Sequence, residues 1–81
     1  MKYPNRILAV RSDMDIKITQ QDLADAVGVS QPMISEYEAG ESLPNAIVAE
    51  LIANYLDTTF KYLYEESIDE YIADMGIKRL G

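Results

Sequence analysis

The stretch TQQDLADAVGVSQPMISEYEAG, residues 19–40, decides the fold. Thr19 precedes an apolar pattern and has Asp22 three residues on, a near match to a capping box in which the shorter acid replaces glutamate. Leu23, Ala24 and Val27 recur at helical spacing and form one buried stripe. Gly28 follows where a helix end calls for a left-handed residue. Val29 then turns inward, and Ser30 caps a second helix whose first turn tolerates Pro32. Ile34 and Tyr37 mark its inner face at i and i+3, and Gly40 ends it. The reading is helix, tight turn, helix, with Ala24 small where the two cross. Gln31, Pro32, Met33, Ser35 and Glu36 are left along the outward edge.

The flanking sequence extends the pattern. Upstream, Pro4 suits a first helical turn, and Ile7, Val10 and Met14 follow at helical spacing, which predicts a helix over 4–12. Residues 13–18 alternate Met14, Ile16 and Ile18. The run is too short to stand as a strand, so it reads as a connector that tucks these apolar residues inward. Downstream, Leu43 and Pro44 lead to Asn45, an N-cap for a fourth helix through about residue 56. Asp57 stands where glycine is usual at a left-handed position. Thr59 caps a short fifth helix with Phe60, Leu63 and Tyr64. A tail helix over 67–75 sets Ile68, Tyr71, Ile72 and Met75 on one face, with Gly76 as its stop. Ile47, Leu51 and Tyr55 make a second apolar stripe, at i, i+4 and i+8 of the fourth helix. The two stripes can cover one another within a chain or across a dimer. The expected architecture is all-α: a compact bundle of about five helices over 1–64, and a tail over 65–81 as a candidate dimerisation element.

Bulk composition narrows the function. For a chain of 81 residues that is 48% apolar, one globular domain is the natural expectation. It has no cysteine and no histidine, so disulfides, thiolate metal sites and imidazole chemistry are excluded. No cofactor, metal site or catalytic constellation is expected among its acids. The absence of a signal-like or membrane-spanning run suggests a cytoplasmic protein. The six tyrosines are scattered rather than arrayed as a stacking platform. Net charge is −7 and unevenly spread. Lys2, Arg6, Arg11 and Lys17 lie in the first eighteen residues, whereas no Lys or Arg occurs from Thr19 to Phe60, where Asp22, Asp25, Glu36, Glu38, Glu41, Glu50 and Asp57 lie. Glu65, Glu66, Asp69 and Glu70 read as a solvated acidic face.

The motifs resemble the Cro/cI-like (XRE-type) helix-turn-helix family, whose fold is lambda-repressor-like. The likeness covers roughly residues 5–64 and rests on residues 19–24, 27–30, 34–40 and 56–59, with Leu63 and Tyr64. It implies sequence-specific binding of double-stranded DNA by a transcriptional regulator, in this family usually a homodimer on a palindromic operator. By the same resemblance, Gln20 matches the glutamine that bonds a DNA phosphate, while Gln31, Pro32 and Glu36 take the main base-reading positions beside Met33 and Ser35. Arg11 and Glu38 match an ion pair that ties the first helix to the recognition helix. Lys17, with Lys2 and Arg6, is a candidate for phosphate. The chain departs from the pattern at several points. Its first connector is about two residues longer than in compact repressors. Glu41 stands where a cation is common, Ala39 replaces a polar residue, and Ile47, Leu51 and Tyr55 occupy positions usually polar.

Two functions of different class follow. One is a DNA-binding repressor, in which Glu36 can accept a bond from a cytosine amino group. The other is an acidic protein-interaction module, an antirepressor or antitoxin-like partner, which the charge map favours. Retention on heparin or nonspecific DNA at low salt separates the two.

Overall fold

The computed structural model describes residues 2–74, and all regular structure among them is helical. The helices are α1 (Ile7–Asp13), α2 (Gln20–Val27), α3 (Gln31–Glu38), α4 (Ala46–Tyr55), α5 (Phe60–Leu63) and α6 (Ile68–Asp74), with a 3-10 turn at Glu65–Ser67. Met75 and Gly76, the expected end of the tail face and its stop, lie outside the described residues, as does the side chain of Tyr71.

Local chemistry sets most helix ends. Thr19 Oγ1 accepts the Asp22 N–H at 3.0 Å and Asp22 Oδ2 accepts the Thr19 N–H at 3.0 Å, a complete capping box. The Thr19 backbone and hydroxyl together hold the Asp22 carboxyl below the usual carboxylate range. Ser30, Asn45 and Thr59 cap α3, α4 and α5 by accepting the N–H groups of Met33, Val48 and Tyr62. At the other end of α2, Gly28 adopts φ 79°. A Cβ there would meet no atom within 4 Å, so backbone conformation and not space selects glycine. Asp57 takes φ 54°, the left-handed conformation expected of it.

α2 packs on α3 and α4, α1 on α3, and α4 on α5. Ile7, Leu23, Ala24, Ile34, Ile52, Ala53, Leu56, Leu63 and Tyr64 are the buried centre. Burial of each large apolar side chain contributes about 1.5–3 kcal/mol.

Several expectations are corrected. Pro4 is not in a helix, because the first residues are tied to distant partners. Tyr3 N–H donates to Gly40 O at 3.1 Å, Arg6 N–H to Leu63 O at 2.8 Å, and the buried Ser67 hydroxyl to Pro4 O at 2.7 Å. The connector does not tuck all its apolar residues inward: Ile18 is buried and Met14 packs on the core, but Ile16 is 79% exposed. The acidic tail face is exposed as expected, and Glu65 within it also makes a surface pair, its Oε2 2.8 Å from Arg6. A 3-10 turn at Glu65–Ser67 leads into the tail helix, which starts at Ile68, next to its expected start. Ile68 and Ile72 are half-buried, and among the described residues the α4 stripe is left largely open: Ile47, Leu51 and Tyr55 are 74%, 42% and 43% exposed.

Candidate nucleic-acid interface

The outward edge of α3 stands on a polar scaffold below it. Arg11, from α1, donates Nε–H to Glu38 Oε2 at 2.8 Å and an Nη2–H to Glu38 Oε1 at 3.1 Å. Its remaining arm donates to Ile18 O at 2.9 Å, so one guanidinium ties together α1, the connector and the end of α3. The two side chains are 14% and 6% exposed, which makes this a largely desolvated fork-to-fork pair.

The pair extends through two glutamines. Gln20 Nε2 donates to Glu38 Oε1 at 2.8 Å, and Gln31 Nε2 donates to Gln20 Oε1 at 2.6 Å. Charge sets the direction of this relay. An ionised carboxylate only accepts, so Gln20 must turn its NH2 toward Glu38 and its oxygen toward Gln31. Gln31 must then turn its NH2 inward, which leaves its own carbonyl oxygen and one further N–H for an outside partner. Gln20 keeps one N–H free in the same way. Both glutamines are half-buried, so their carboxamides are oriented before any ligand arrives.

Beyond Gln31, the side chains of Pro32, Met33, Ser35 and Glu36 are exposed, while Ile34 and Tyr37 are buried beneath them. The Tyr37 phenol is pushed up, first by burial and second by the neighbouring Glu36. The structure thus brings Gln20, Gln31, Arg11 and Glu38 into one network and leaves Pro32, Met33, Ser35 and Glu36 on a free surface beside it.

The cations are disposed differently from the sequence expectation. Arg6 is engaged: it donates to Tyr62 O at 2.7 Å, pairs with Glu65, and stacks on the Tyr62 ring at 4.6 Å. Its hydrogen bond to Glu65 raises its already high pKa. Lys2 lies over the Tyr3 ring at 5.1 Å. Lys17 is exposed in the connector before α2. Glu41 is exposed after α3, so nothing in that loop supplies positive charge.

Asn5 was not anticipated from the sequence. Its Nδ2 donates to Tyr37 O at 2.8 Å and its Oδ1 accepts the Ile7 N–H at 3.1 Å, so it both starts α1 and anchors the end of α3. An asparagine two residues before an apolar helical run is itself a capping signal, one that the neighbouring Pro4 obscures.

A family model described as helix-turn-helix matches residues 15–63, which takes in α2 through α5. An uncharacterised HTH-type transcriptional regulator, YqaE of Bacillus subtilis (strain 168), is 34% identical over 64 residues, covering 79% of this chain and 55% of YqaE. The chain therefore matches about half the length of that curated relative. No solved structure matches it.

Proposed function

The chain belongs to the helix-turn-helix family of the Cro/cI (XRE) type, and on that premise we propose that it is a sequence-specific DNA-binding transcriptional regulator acting as a repressor. The observation that carries the reading is the relay from Arg11 through Glu38 and Gln20 to Gln31. It fixes a polar edge of α3 with no evident use inside the fold. In this reading α3 lies in the major groove, and Gln31 meets a base edge with one acceptor and one donor, the pattern an adenine complements. Ser35 and Glu36 reach neighbouring bases. Gln20 and Lys17 meet phosphates, and backbone N–H groups at the start of α2 add uncharged contacts.

The partner on the protein side is a second copy. Ile47, Leu51 and Tyr55 form an exposed stripe on α4, and the half-buried Ile68 and Ile72 of the tail offer further area for the same contact. Two copies would place their α3 helices on half-sites one turn apart, about 34 Å, and call for a palindromic operator.

Selection of sites from a random DNA pool, followed by titration at several salt concentrations, tests this. The expected outcome is one enriched palindrome and a shallow salt slope, since each neutralised phosphate contributes about 0.9 to the slope and cations are scarce. A steep slope would contradict the electrostatics. The second reading, an acidic interaction module, is favoured by the absence of Lys and Arg from Thr19 to Phe60. No enrichment at low salt, with tight capture of a basic protein, would establish it instead.

A further inference from the structure

Pro32 and Met33 are the second and third residues of α3, and Glu36 follows one turn later, at i+4 and i+3 from them. That spacing puts the three on one patch of the exposed edge. The Glu36 carboxylate makes no hydrogen bond or ion pair with any other part of the chain among the described residues. The patch is therefore an unengaged acceptor flanked by apolar surface, and no cation from residues 19–60 is available to modify it.

The base edges of the major groove do not suit this patch equally. Guanine offers N7 and O6, both acceptors, and its usual partners are Arg and Lys. Adenine offers an amino group, but the N7 acceptor beside it repels a carboxylate. Cytosine offers its N4 amino group with no acceptor beside it on the same base's edge. Thymine offers a 5-methyl group, which seeks apolar contact. Two of these four edges fit, and both are pyrimidines.

Resting on the DNA-binding reading above, we propose that the outer edge of α3 reads a pyrimidine step, with Glu36 accepting from the N4 amino group of cytosine while Met33 and Pro32 cover the 5-methyl group of a neighbouring thymine. Met33 suits this task because its thioether is polarisable and unbranched, and at 37% exposure part of the side chain stays seated on the protein. Specificity here comes from a carboxylate and a methyl contact, both of which a cation-poor helix can provide.

The test uses the full chain and the site it enriches from a random DNA pool. Each thymine of that site is replaced singly by uracil, which deletes only the methyl group. At one position per half-site, binding should weaken about fourfold, the worth of one buried methyl group. The thymine–uracil difference should vanish in Met33→Ala. In a second selection, Glu36→Gln should enrich adenine where the parent enriches cytosine, because a carboxamide adds the donor that N7 needs. Both substitutions are at exposed positions, and unchanged thermal melting confirms that the fold is kept. If uracil equals thymine at every position, or if Glu36→Gln enriches the parent's sequence, the pyrimidine reading fails while DNA binding stands. If the parent chain enriches no sequence, both readings fail together.

Discussion

The α3 edge and the α4 stripe are opposite solutions to surface exposure. At α3 the chain invests internal bonds in side chains that face outward: Gln31 leans on Gln20, Gln20 on Glu38, and Glu38 on Arg11. On α4 the outward residues Ile47, Leu51 and Tyr55 are large and apolar, and among the described residues nothing covers their outer side. A polar group held in place by neighbours has already lost its conformational freedom, so it can recognise with little further entropy cost. An exposed apolar stripe gains nothing until another surface removes it from water. The first arrangement fits a rigid partner of fixed pattern, and the second fits association.

The largest effect that would sharpen this contrast is loss of Glu38. Glu38→Ala strands the largely buried Arg11 charge and should destabilise the chain by about 3–5 kcal/mol in urea unfolding. A loss under about 1 kcal/mol would mean that the pair behaves as a surface contact and that the edge is not rigidly supported. Gln20→Ala comes next. It removes two internal bonds of the relay, and a stability loss of about 1 kcal/mol is expected. DNA affinity should fall similarly for all sequences, as suits a phosphate contact. If only one operator position responded, Gln20 would belong to the base-reading set.

On the α4 side, Leu51→Lys should change the stability of the dilute chain by less than about 0.5 kcal/mol, since the position is at the surface and a lysine stem can keep the partial contact that a 42% exposed leucine makes. In the parent, melting temperature should rise with protein concentration, as it does when association stabilises a fold. Leu51→Lys should abolish that rise. Concentration-independent melting of the parent would leave the stripe without its proposed partner. The smallest effect concerns the start of α2. The folded-state pKa of Asp22 is depressed, so its contribution is present above the ordinary carboxylate pKa and is lost as pH falls through the lowered value. The stability difference between the parent and Asp22→Asn should therefore be widest near neutral pH. It should close on acidification, as read from melting curves across that range.

What was legible in the sequence follows the range of the interactions. Thr19 with Asp22, Ser30 with Pro32 and Gly28 at its left-handed turn act within a few residues, so α2, the turn and α3 could be read directly. Pro4 was misread because its surroundings are remote. Pro4 answers to Ser67, 63 residues away, and its neighbour Arg6 answers to Leu63 and Glu65. The ion pair also gives Arg6 a partner within the chain, which no charge count along the sequence could reveal. The polar edge of α3 was legible as a list of residues. Its relay was not, because the link from Gln31 to Gln20 and on to Glu38 exists only once α2 and α3 have crossed.

By itself, then, the sequence determined which segments become helices, where α2 and α3 start and stop, and which of their faces turn inward. Caps, glycine conformations and the 3.6-residue period act locally and need no knowledge of the rest of the chain. Tertiary structure alone decided which outward groups are already engaged and which remain free. Arg6 and Lys17 look alike in the sequence, yet packing places a carboxylate and an aromatic ring beside one and leaves the other in solvent. Availability to a partner is set by neighbours in space, and these are known only after loop closure brings distant residues together.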